Sequence, residues 1–89
     1  MTPQEIKNTI EASIPNSTAH IFDPANDGQH LQAVVVSPVF EGLPLVKQHQ
    51  MVLKSLKEGF GASLHALGLK TLTPTQWEEF RSKHNINAS

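Results

Sequence analysis

The chain contains no cysteine, only five aromatic residues in 89, and almost no net charge, formally −1. Without cysteine there are no disulfides, no thiolate nucleophile and no sulfur-based zinc site, so packing alone must hold the fold. No apolar run approaches the roughly 18 residues that suggest a membrane span. The opening Met1-Thr2-Pro3-Gln4-Glu5 is neither basic nor apolar, as a signal segment would be. A cytoplasmic chain with no targeting segment and no membrane contact is therefore expected. A chain of this length buries roughly 60–70% of its unfolded surface, enough for one modest core and too little for a cleft closed by a second lobe.

Catalytic signatures are missing too. There is no Gly-x-Ser-x-Gly, Ser-x-x-Lys or His-Glu-x-x-His, and Gly59-Phe60-Gly61 lacks the later glycine and the lysine of a phosphate-cradling loop. Ser63 and His65 alternate onto one side of a predicted strand, which is too little for nucleophilic catalysis. The expectation is a protein without enzymatic activity.

The charges that are present are unevenly spread. Residues 1–43 set Lys7 against Glu5, Glu11, Asp23, Asp27 and Glu41, a balance of −4, whereas residues 44–89 carry +3. Between Pro44 and Lys57 there are three lysines and no acid. Bulk electrostatics do not suit this chain to coat nucleic acid, but a local basic segment exists.

Thr2-Pro3-Gln4-Glu5 combines an N-cap hydroxyl, proline at the first helical position and a carboxylate three residues past the cap, so a helix starts here. Ile6, Ile10 and Ile14 form its apolar stripe, and Pro15-Asn16 ends it. A strand is predicted over Ser17 to Asp23, followed by the turn-forming run Asp23 to Gly28. His30 to Ser37 reads as a second strand, apolar on both faces, and a hairpin with the first is the economical arrangement. After the irregular stretch Pro38 to Pro44, the apolar residues Leu45, Val46, Met51, Val52, Leu53 and Leu56 recur at helical spacing. This helix is closed by Gly59 and Gly61, with room for a break. Leu64 to Leu72 alternates as a third strand. Thr73-Pro74-Thr75-Gln76 repeats the capping device and opens a last helix running to about His84, with Trp77 and Phe80 as its core stripe. The order α-β-β-α-(α)-β-α implies an α+β fold with helices on one face of a three-stranded sheet, a single domain over 1–84 and a frayed tail over 85–89.

Histidine is the informative residue type, with His20, His30, His49, His65 and His84. Any transition-metal ligand here would be imidazole. No pair has the i, i+4 spacing of one helical turn, so a site must be assembled by the fold or shared with a partner. If the second and third strands are neighbours, His30 and His65 come to one end of the sheet; the plain alternative is two strand-end histidines bonded to backbone. His49 lies among lysines on a helix, either as part of a solvated polar face or as a phosphate contact. His20 and His84 read as ordinary surface residues.

Several strings taken together resemble the BolA-like family: Val34-Val35-Val36-Ser37 with Phe40-Glu41-Gly42, Leu45-Val46-Lys47-Gln48-His49-Gln50-Met51-Val52, Leu64-His65-Ala66-Leu67, and Leu72-Thr73-Pro74 with Gln76-Trp77. They stand in the family's order and spacing from about Ile6 to Trp77. The resemblance implies an αββααβα domain similar to the class II KH fold. It also implies a partnership with monothiol glutaredoxins of the Cys-Gly-Phe-Ser type, which share a [2Fe-2S] cluster with such proteins in iron trafficking or cluster delivery. In this picture His65 is the characteristic cluster ligand and the loop between the first two strands supplies a second, here His30, with Asp27 as the fallback. The glutaredoxin cysteine and glutathione complete the cluster, and the isolated chain binds none. Some members regulate transcription through the KH-like surface, for which Lys47, His49, Lys54 and Lys57 are the candidates for DNA. The family's usual Arg-His-Arg is Gln48-His49-Gln50 here, and the Gly-x-x-Gly clamp is missing. An exposed edge strand would support a homodimer in the partner's absence.

Overall fold

In the computed structural model, residues 2–24, 26, 31–60 and 68–83 are described. Helix α1 spans Pro3–Ser13, strand β1 Thr18–Phe22, strand β2 Gln32–Val36, helix α2 Leu45–Phe60, strand β3 Gly68–Leu72 and helix α3 Pro74–Lys83; a single 3-10 turn occupies Pro38–Phe40. The break allowed for in the helical run after Pro44 does not occur as far as Phe60, Gly59 lies inside the helix rather than beyond its end, Gly61 is outside the described residues, and the stretch read as irregular holds the 3-10 turn.

Both predicted caps form. The Thr2 hydroxyl accepts from the Glu5 amide at 3.2 Å while the Thr2 amide donates to Glu5 Oε1 at 2.8 Å. This bond to the charged form holds the Glu5 carboxyl below its ordinary range. Thr73 and Gln76 repeat the exchange at 3.3 and 2.9 Å. Such reciprocal bonds satisfy two of the amides that a helix start leaves without partners. Asn16 turns the chain out of α1 with φ of 54°, a left-handed conformation that asparagine tolerates.

The sheet order is β1-β2-β3. β1 and β2 are antiparallel, with Ala19 opposite Val35, and β2 and β3 are parallel, with Gln32 opposite Gly68 and Val36 opposite Leu72. Alternation then sorts the apolar residues into two cores. On one face Ile6 and Ile10 of α1 and Ile14 at its C-cap pack with Ala19, Leu31, Val35, Phe40 and, from α2, Val52 and Leu56. On the other, Val34, Val36 and Leu72 are covered by Trp77, with Phe22 and Phe80 at the margin.

The expectation of all helices on one face is therefore corrected: α1 and α2 share a face and α3 covers the opposite one. The reason is visible in β2. Val34 and Val36 are as apolar as Ala33 and Val35, and a strand buried on both sides needs a cover on each.

Two polar clips tie distant segments together. Ser37, fully buried, donates to the Pro15 carbonyl at 2.8 Å and accepts from the Val39 amide. Gln48, also buried, donates from Nε2 to the Phe40 and Leu43 carbonyls and accepts from the Thr71 hydroxyl at 2.6 Å. Gly42, at φ of 78°, makes the turn that brings the Leu43 carbonyl beneath Gln48. The outer side of β1 is occupied at Ala19, whose amide donates to Glu11 Oε2 and whose carbonyl accepts from Lys7 Nζ. These two side chains also form an ion pair with each other. Engaging an edge strand's backbone in this way removes a position where another strand would pair.

Candidate functional site

Parallel pairing of β2 and β3 decides which chain segments meet at one end of the sheet. The two strands begin side by side, with the Gly68 amide donating to the Leu31 carbonyl at 2.9 Å. His30 directly precedes Leu31 in the chain, and His65 precedes Gly68 by three residues. The condition set by the sequence, that the second and third strands be neighbours, is met. His30, His65 and Asp27 themselves lie outside the described residues, as do Ser63 and His84.

A cleft of about 310 Å³ opens at this end of the sheet, lined by Gln32, Val34, Gly68, Leu69, Lys70 and Phe80 among others. The Lys70 ammonium sits 5.6 Å from the Phe80 ring centroid, within cation–π range. Among the described residues no group of three or more histidines, cysteines or acids is placed to hold a metal ion.

The structure splits the proposed basic surface. At about 100° per residue, Lys47 and Lys54 fall within about 20° of each other around α2, whereas His49 lies well away from both, and Val46 and Leu53 stand between. Lys57 sits one turn beyond Leu53. The residue taken only as a departure from a basic motif, Gln48, turns inward and becomes the clip described above. Its neighbours give the signal: Gln48, Val52, Ser55 and Leu56 share the buried side, and an amide there satisfies two carbonyls where a guanidinium would bring a charge.

Sequence reasoning missed His20. It was expected at the surface, but its ring stacks on Trp77 at 4.3 Å between centroids and 13° between planes, and Trp77 stacks in turn on Phe80 at 5.8 Å. Burial, followed by the positive charge of Lys7, pushes the His20 pKa down, with Glu11 partly opposing. Glu11 is held below the ordinary carboxylate range because the bonds from Lys7 and from the Ala19 amide outweigh its burial. The signal for His20 was its alternation with Ile21, which placed it beside Phe22 on the α3 face.

A family model described as BolA-like protein matches residues 4–76. Human BolA-like protein 1 is 38% identical over 63 residues, covering 71% of this chain and 45% of the relative, so the chain spans about half the length of that protein. The solved structure of a bolA protein homologue from Coxiella burnetii superposes with a TM-score of 0.72 at 35% identity, covering 88% of this chain and 97% of the other. Yeast Fra2 gives a TM-score of 0.67 at 26% identity, covering 100% of this chain and 97% of that one. The α+β architecture matches these structures. No helix among the described residues is long and apolar enough to cross a membrane.

Proposed function

The chain belongs to the BolA-like family, and on that footing we propose that it is a non-enzymatic adaptor that binds a monothiol glutaredoxin and co-ligates a shared [2Fe-2S] cluster through His65 and His30. The observation that carries this reading is the parallel β2–β3 pair, which sends the His30 and His65 segments from the same end of the sheet. Donor chemistry fits a half share. The chain owns no thiolate, and in sequence His30 and His65 precede the adjoining strands β2 and β3, so in this reading the remaining ligands, glutaredoxin cysteine and glutathione, come from outside. Imidazole in place of thiolate lowers the negative charge at iron and raises the reduction potential, which suits cargo that is handed on.

The role of this chain's own residues is to present two neutral imidazoles from a rigid frame. β2 is the central strand, and the Gly68–Leu31 bond closes the ladder at the very end from which the ligand segments leave. The visible absorption spectrum of His65→Ala mixed with cluster-loaded glutaredoxin should differ from that of the unsubstituted mixture. An unchanged spectrum overturns the assignment of His65, and failure of the two proteins to associate under anaerobic, glutathione-containing conditions overturns the partnership.

A nucleic-acid regulator is the second reading. It draws on Lys47 and Lys54, which share one line along α2, and it requires duplex DNA affinity that falls steeply with salt. The apolar side chains standing between the lysines and His49 favour the adaptor.

A further inference from the structure

Among the described residues the large apolar side chains left exposed are Leu43, Leu45, Val46 and Leu53, at 36, 60, 66 and 49% of their full surface. All four fall within eleven consecutive residues. The helical spacing groups Leu45, Val46 and Leu53 with Val52 and Leu56, but only Val52 and Leu56 are buried, on a side of α2 about 90° round from the Val46–Leu53 line. Val46 and Leu53 are seven residues apart and therefore lie on one outward line of the helix. Lys47 and Lys54 flank this line on one side, and Lys57 closes it beyond Leu53. No acid occurs from Leu43 to Lys57.

We infer that this face of α2 is a docking surface for a partner protein that presents an apolar helix face bordered by acidic side chains. The occupant follows from charge. A second copy of this chain would set Lys47, Lys54 and Lys57 against the same three lysines, with Glu58 at the patch's edge as the one nearby acid on α2 to oppose them. A membrane would require a broad apolar face, and α2 cannot roll to offer one, because its other side is packed against α1 and β3. Phosphate backbones gain nothing from Val46 and Leu53.

The surface is also preformed. Gln48 fastens the Leu43 and Phe40 carbonyls to Thr71, so the loop carrying Leu43 is held against the helix start before any partner arrives, which reduces the ordering cost of binding. Its location matters. Gln48 meets β3 at Thr71, near the strand end where Leu72 pairs with Val36. The histidine-bearing segments leave from Gln32 and Gly68, about 13 Å away along the strands. This inference stands whether or not the glutaredoxin reading does.

The test uses the full chain labelled with 15N and a stapled helical peptide carrying leucine at i, i+3, i+4 and i+7 with glutamate alongside, compared with the same peptide carrying lysine. The glutamate peptide should shift the amides of Leu43 to Lys57, with affinity falling about tenfold when salt is raised well above physiological strength. The double variant Val46→Glu, Leu53→Glu should weaken it at least about tenfold. Val46→Ser, Leu53→Ser, which leaves the charge unchanged, gives the same direction if the charged variant fails to fold. Both variants should keep the cluster spectrum obtained with glutaredoxin, so a failure here is distinguishable from a failure of His65. The inference is overturned if the lysine peptide binds equally well or the shifts fall elsewhere. It is also overturned if the chain sediments with phosphatidylglycerol vesicles and ignores the peptide, or if sedimentation equilibrium shows a dimer that the glutamate variant disperses.

Discussion

The two faces of the sheet are built to different standards. Against α1 and α2 the sheet meets branched aliphatic side chains that are excluded from solvent, and the two helices brace each other across the same core. The α3 side holds four well-buried residues, three of them from the sheet and one, Trp77, from α3, with an aromatic stack that includes the titratable His20 ring. The first face is a deeper, mainly aliphatic interior that also encloses Phe40, and the second a thinner aromatic cover. Stability therefore belongs mainly to the α1–α2 side, and sensitivity to conditions to the α3 side.

Cavity substitutions break the comparison most directly. Ile10→Ala should cost about 3–4 kcal/mol in chemical denaturation, and Leu72→Ala on the α3 face about 2 kcal/mol, since its site lies nearer solvent. Equal losses would mean that the faces are equivalent. Gln48→Met keeps the volume but strips partners from two carbonyls and the Thr71 hydroxyl, so a loss of about 2–3 kcal/mol is expected, with added mobility in the Phe40–Leu43 amides. His20→Ala should cost about 1 kcal/mol, the scale of an aromatic pair, and should alter the emission of Trp77, the single tryptophan.

Acidification sharpens the comparison further. The folded pKa of His20 lies below its unfolded value, so the neutral ring is the one the fold prefers. Its stabilising contribution is complete above about pH 6.5 and is lost as pH falls through the unfolded and then the folded pKa. His20→Phe should remove this part of the pH dependence, as read by the difference between denaturation midpoints at pH 7.5 and 5.5. Glu11 has the same sign in a lower window. Its depressed pKa stabilises the fold above the ordinary carboxylate range and ceases to do so in stronger acid. Glu11→Gln keeps an acceptor for the Ala19 amide, so its effect should be the smallest, at most about 0.5–1 kcal/mol, and weaker in high salt.

Much of this was legible in the chain. The Thr2 and Thr73 caps, the three strands, the isoleucine stripe of α1 and the Trp77–Phe80 pair all follow from spacing and from residues that satisfy or break local hydrogen bonds. The strings around Phe40-Glu41-Gly42 and Leu64-His65-Ala66-Leu67 pointed to the family that the comparisons bear out. His20 was misjudged because its environment is made by a helix more than fifty residues later. The burial of Gln48 and the exposure of the Val46–Leu53 line were not legible for a related reason: helical periodicity marks the apolar residues of α2 without saying which of them the rest of the protein covers.

Sequence alone determined that the chain has no thiolate, that its histidines are its only imidazole donors, and where its helices begin, because capping acts over three or four residues. Tertiary structure decided that β2 and β3 run parallel as neighbours, that α3 crosses to the far face, that a glutamine is buried and two aliphatic residues are not. Those outcomes depend on contacts between residues distant in the chain, whose free energies exist only once the sheet has formed.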